Sequence, residues 1–184
     1  MYATYPGTII EVSEITKGAS RRLFDGVFAT GGITLSQVCI MTGLEPYVIQ
    51  NWIKRGFLSP PQRRVYSRAQ LARIMLINML KESLQIDRIC GLIRSMGGLT
   101  ASTEDDLISD EELYHKYVDL LAEGGTLIVD DARLEALAAH QCEDYSGPLP
   151  NGRAALIRIL KIMAYAHAAA TFRHSAEQLI AGLD

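Results

Sequence analysis

The sequence predicts a mainly all-α chain, and three observations carry that reading. Thr34 with Gln37, and Ser67 with Gln70, are two capping boxes, each marking a helix start. Gly43, Pro46, Gly56 and Pro60-Pro61 cut the stretch between them into short pieces. Apolar residues make up 48% of the 184 positions, enough for a sizeable core and too many for a disordered chain. The three cysteines, Cys39, Cys90 and Cys142, share no ligand spacing, which excludes a disulfide-stapled scaffold and points to reduced thiols.

The elements follow in order. Residues 1–32 form an N-terminal extension with a short helix near Ser20–Phe28. The Thr34 box opens a helix that Gly43 ends. Pro46 suits the first turn of the next, which Gly56 ends. Phe57–Val65 cannot be helix throughout, because of Pro60-Pro61, and reads as extended turns or a small hairpin. The Ser67 box opens a helix to about Glu82, and another spans about Gln85–Met96 before Gly97-Gly98. Helices near Ser109–Ala122, Asp130–His140 and Asn151–Leu183 follow, with Thr126–Val129 as a short extended piece. The long C-terminal helix has room to bend near Thr171–His174.

Charge divides the same chain. Residues 1–32 are net zero, 33–98 carry +6, and 99–184 carry −9, which together give the overall −3. A cationic middle domain (33–98) and an acidic helical C-terminal region (99–184) are expected, with the seam at Gly97-Gly98 and Thr100–Asp106.

The middle segment carries the most specific pattern. Two short helices joined at Thr42-Gly43-Leu44-Glu45 are a helix-turn-helix arrangement. Leu35, Val38, Cys39 and Ile40 supply the apolar side of the first helix; Val48, Ile49, Trp52 and Ile53 supply that of the second. Tyr47, Gln50, Asn51 and Lys54 then share one outward stripe, at i, i+3, i+4 and i+7. Asn and Gln can pair bidentately with adenine in the major groove, and Tyr and Lys reach base edges or phosphates. Arg55, Arg63, Arg64 and Arg68 lie close by in sequence and could neutralise phosphate, with Tyr66 able either to donate its hydroxyl there or to pack against Trp52.

Thr34–Val38, Thr42-Gly43-Leu44, Trp52, Gly56-Phe57-Leu58, Pro60-Pro61, Arg64–Ser67 and Leu84–Ile89 together resemble the DNA-binding half of MerR-type regulators. Ile49–Lys54, with the tight Pro60–Ser67 passage, most closely resembles the MerR-related bacterial domain of unknown function 1836. The resemblance spans Ile33–Met96 and implies a winged helix-turn-helix, commonly dimeric, acting in transcription. Three features depart from the MerR pattern: the wing connection is shorter, Gln50 and Asn51 stand where Arg and Tyr are usual, and Gly97-Gly98 interrupts the route to a long dimerisation helix.

The C-terminal half offers no catalytic motif. Asp105-Asp106, Asp110–Glu112 and Asp130-Asp131 lie at helix starts, where anions complement the dipole. His115, His140, His167 and His174 lack a zinc-ligand spacing, so neither metal nor cofactor is expected. The apolar Asn151–Leu183 helix suits a bundle centre or a homodimer interface, and the C-terminal helices could sense a small-molecule effector. No signal peptide and no run of about twenty uninterrupted apolar residues is visible, so a cytoplasmic location without membrane contact is expected. The leading expectation is therefore a non-enzymatic, duplex-DNA-binding transcription regulator. The alternative is an adaptor whose basic helix-turn-helix face meets an acidic protein partner.

Overall fold

The computed structural model describes residues 3–96, 107–125 and 130–183. Two short strands come first, β1 (Ala3–Thr4) and β2 (Glu11–Val12), paired antiparallel with Ala3 opposite Val12. Among the described residues eight helices follow: α1 (Ala19–Val27), α2 (Leu35–Thr42), α3 (Pro46–Lys54), α4 (Arg68–Leu80), α5 (Ile86–Met96), α6 (Asp110–Gly124), α7 (Asp131–Gln141) and α8 (Gly152–Ala181). The chain is predominantly helical, and each expected helix lies within two residues of its expected bounds, apart from frayed ends. The expected extended piece Thr126–Val129, the Gly97-Gly98 break and the Thr100–Asp106 seam lie outside the described residues.

Local chemistry explains the helix starts. Both capping boxes form in full, with the Thr34 and Ser67 side chains accepting from the Gln37 and Gln70 N–H groups and each glutamine reaching back. Ser109 and Asp130 cap α6 and α7 in the same way through their side chains. Gly43 ends α2 in the left-handed conformation (φ 69°), and a Cβ there would lie 2.8 Å from the Ile9 side chain.

The core is organised on α4, whose Leu71, Ala72, Ile74, Met75, Leu76, Ile77, Met79 and Leu80 are all buried. An apolar surface that broad needs cover on several sides. α2, α5, α6 and α8 supply it, while α1 and α7 pack on α6, and α7 also on α8. The β1–β2 hairpin closes a further side: Asn78 Nδ2 donates to Gly7 O and Thr42 O, both at 3.0 Å, and the Ile9 N–H donates to Met41 O at 3.0 Å. Nothing in the local sequence announced these strands.

α6 is buried from Leu113 to Leu121, including His115, Lys116 and Asp119. Lys116, Asp119 and the Nδ1 side of His115 each have a partner, as burial demands. Lys116 Nζ donates to Gln141 O (2.8 Å) and to the Asp144 carboxylate (2.7 Å), while Asp119 accepts from the Gly18 N–H (2.7 Å) and Arg21 (2.8 Å). The Ser20 hydroxyl is hydrogen-bonded to His115 Nδ1 at 2.9 Å, and the Tyr117 hydroxyl to His167 Nδ1 at 2.8 Å.

Burial holds both imidazoles below the ordinary histidine value of 6.5. The unfolded chain thus takes up these protons more readily than the native one. Their contribution to stability is complete above about pH 6.5 and declines as the pH falls from there towards the lowered native values, by up to about 1.4 kcal/mol per pH unit for each group. The urea midpoint is expected to drop between pH 7.5 and pH 5.5, and less steeply in His167→Gln, which keeps an acceptor for Tyr117. A midpoint that does not move over this range contradicts the assignment.

α8 runs unbroken through Thr171–His174. By length and composition it could cross a membrane, and less than half of that stretch is buried against the bundle.

Candidate nucleic-acid interface

α2, the Gly43-Leu44-Glu45 turn and α3 form one unit, fastened to the core by Val38, Leu44, Ile49 and Trp52, all buried. Val48 and Ile53 flank them half-buried. One expected core residue turns the other way: Ile40 is 70% exposed. With Val38 and Thr42 as the inward positions of α2, position 40 falls opposite them on a helix of 100° per residue.

Tyr47, Gln50, Asn51 and Lys54 are all exposed. Among the described residues none of their side chains has a hydrogen-bond or ion-pair partner. Pro46 at the first position orients α3, and the Arg55 N–H closes it on Asn51 O at 2.9 Å.

After α3 the chain turns at Gly56 (φ 75°), buries Leu58 and passes the two prolines. A two-residue hairpin follows, in which Gln62 and Val65 pair and the Val65 N–H donates to Gln62 O at 2.9 Å. Arg63 (φ 50°) and Arg64 (φ 65°) form its tip, both left-handed. That is the backbone of a tight hairpin turn of the kind that usually takes Asn-Gly, so two arginines there hold a strained conformation. Next, Tyr66 pairs with Ile33 through N–H to O bonds of 2.7 and 3.1 Å, tying the hairpin to the segment before α2. Gln70, besides completing the cap of α4, donates through Nε2 to Ser59 O (2.9 Å) and Pro60 O (3.2 Å). This second role of Gln70 has no signature in the sequence.

The four arginines expected as a single phosphate-binding cluster divide into two kinds. Arg63 and Arg64 are exposed, with no acidic partner among the described residues. Arg55 stacks on Phe57 at 4.5 Å and lies 3.5 Å from the exposed Asp87, a pairing that water largely screens. Arg68 is committed elsewhere: it bonds Glu111 at 2.7 Å and Asp25 at 3.0 Å, over the Phe24 and Phe28 rings. Arg73 likewise holds Asp110 at 2.8 Å. Part of the +6 charge of the middle segment is thereby spent on the acidic first turn of α6. Tyr66 is buried, at 2% exposure. Arg88, next to Asp87 on the first turn of α5, is exposed and without an acidic partner among the described residues.

Residues 34–117 match the family model of a domain of unknown function, DUF1836. No curated protein and no solved structure matches the chain. The DUF1836 match begins at the Thr34 cap and runs through Tyr117, so it takes in the first half of α6, with the partners of Arg68 and Arg73, as well as the α2–α3 unit and hairpin.

Other constellations belong to packing. Ser20, His115 and Glu111 line up as hydroxyl, imidazole and carboxylate, with His115 Nε2 at 3.5 Å from Glu111, but Ser20 is fully buried between α1 and α6. Among the described residues no three His, Cys, Asp or Glu side chains are placed to hold a metal. Burial pushes the Cys142 thiol up to about 11, away from nucleophilic use.

Proposed function

We propose that the DUF1836-matching part of this chain binds duplex DNA as a winged helix-turn-helix of MerR-like type and acts in transcription regulation. In this reading α3 enters the major groove, Gln50 and Asn51 read base edges, and Tyr47 and Lys54 contact bases or the flanking backbone. Arg55, Arg63 and Arg64 contact phosphate. In this reading Tyr66, which is buried, and Arg68, which is ion-paired, support the hairpin and α4 in place of contacting phosphate.

A single observation carries the reading. Two amides, an aromatic and a lysine share one exposed helical stripe, and the strained turn that follows α3 in the chain presents two arginines, none of these side chains having a partner among the described residues. An ordinary solvated helix face would carry acids, and this stripe has none.

The experiment is selection of bound duplexes from a random pool with the full chain at two salt concentrations. An enriched sequence is expected. Asn51→Ala should lose about 1–3 kcal/mol on that sequence and relax the preference at one position. Arg64→Ala should weaken binding to all sequences alike and reduce the salt slope by about 1. Equal affinity for selected and random duplexes, with uniform losses for both variants, would favour the adaptor that meets an acidic protein partner.

A further inference from the structure

A cleft of about 1,040 Å³ opens between the Gln62–Val65 hairpin, the first turn of α4 and the segments that precede α2 and α6. That is about the upper limit for a small-molecule site. The buried Leu58 and Tyr66 line it, together with Phe28, Pro60, Val65 and Ala69, which keep accessible surface. Gly31 stands at its edge with φ 110°, and no atom lies within 4 Å of where its Cβ would be, so no side chain fills the cleft from that side.

The charges on this mostly apolar surface are unevenly engaged. Three guanidinium groups line the cleft, with Asp110 as the acid among them. Arg73 holds Asp110 at 2.8 Å, and Arg68 is bonded to Glu111 at 2.7 Å and Asp25 at 3.0 Å. Arg63 differs from both: it has no acidic partner among the described residues, and its left-handed backbone fixes where the side chain leaves the hairpin. The side-chain amide of Gln62, next to it on the same lining, has no partner among the described residues either.

We propose that this cleft binds a small monocarboxylate with an apolar body, either aliphatic or aromatic. The carboxylate pairs with Arg63 and accepts from the Gln62 amide, while the body lies along Phe28, Pro60, Val65 and Ala69. The charge count selects the head group. Arg63 offers one unmatched positive charge, and the planar fork of a guanidinium matches a carboxylate with two parallel hydrogen bonds. A dianion would bring a second negative charge for which Arg68 and Arg73, already engaged, leave no partner; a cation would meet Arg63 with the wrong sign. The walls select the body, because an apolar group gains from leaving water there and a polar one finds few partners. Among the described residues none of α7 or α8 lines the cleft, so this site is distinct from an effector site on the C-terminal helices. The proposal does not rest on DNA binding.

Isothermal titration calorimetry of the full chain with decanoate and, separately, with 2-naphthoate tests the site and tells an aliphatic body from an aromatic one. Saturable one-to-one binding of at least one carboxylate is expected, and none of decyltrimethylammonium, a similar chain with the opposite charge. Arg63→Ala should weaken binding about tenfold or more. Arg64→Ala removes the same charge from the next residue, which does not line the cleft, and should leave binding unchanged. Ala69→Trp, at an exposed position, should abolish binding with an unchanged circular dichroism spectrum. Leu179→Glu, on the exposed end of α8, should have no effect, which separates the cleft from adsorption on that helix. The comparison of Arg63 with Arg64 decides independently of any effect of the tryptophan on folding. No saturable binding of either carboxylate, equal binding of the ammonium, or equal affinities for Arg63→Ala and Arg64→Ala would each overturn the proposal.

Discussion

Replacing Gly7 by alanine is expected to destabilise the protein by about 3 kcal/mol or more, although the residue lies in a surface turn. Two effects combine. Gly7 has φ 73°, a region that costs an ordinary side chain energy, and an added Cβ would overlap the backbone carbonyl of Met75 in the middle of α4. A flexible side chain could move aside; the backbone of the most buried helix cannot. The β1–β2 hairpin would have to lift, taking with it the Asn78 bonds that join Gly7 to Thr42 at the end of α2. Gly26 is the control. It lies within α1 with open space around its Cβ position, so Gly26→Ala should leave stability unchanged or raise it by about 0.5–1 kcal/mol. Urea denaturation of the two variants reads both effects, and equal midpoints for them would remove the close approach as a determinant of the fold.

Asp119→Ala should cost about 3 kcal/mol. α1 begins at Gly18 without any side-chain cap of its own, and the acceptor for the Gly18 N–H is supplied instead by Asp119 of α6, about a hundred residues along the chain. The other oxygen of the same carboxylate holds Arg21. Removing it leaves a helix-start N–H without its acceptor, and a guanidinium that keeps Glu112 alone. Asp119→Asn, which preserves one acceptor and the shape, should fall between wild type and alanine. Thermal unfolding followed by circular dichroism gives the order; indistinguishable midpoints for the alanine variant and the wild type would show that α1 docks by apolar contact alone, through Phe24.

What the sequence made legible is chemistry that acts within a few residues. The Thr34 and Ser67 boxes, the Gly43 stop and the Pro46 start are decided locally, and the helices begin and end where those residues put them. The outward stripe of α3 was legible for the same reason, since Ile49 and Trp52 fix the inner side of a nine-residue helix. Ile40 escaped because α2 is apolar nearly all round, and composition does not say which apolar side chain a neighbour will cover. The β1–β2 hairpin escaped because its strands are two residues long and owe their place to Met75 and Asn78. The charge blocks were legible as sums only. That Arg68 and Arg73 would meet Glu111 and Asp110 depends on α6 folding onto α4, which no count of charges contains.

The hairpin tip has a consequence for any attempt to harden this protein. A left-handed backbone costs a non-glycine residue roughly 1–2 kcal/mol, and Arg63 and Arg64 bear that cost side by side. A search for stability alone would drift towards Asn-Gly at this bend and would erase two positive charges in doing so. Ruggedness and positive charge are therefore opposed at one pair of codons, and under the proposed function a variant that melts later through relaxation here is expected to hold a polyanion less firmly.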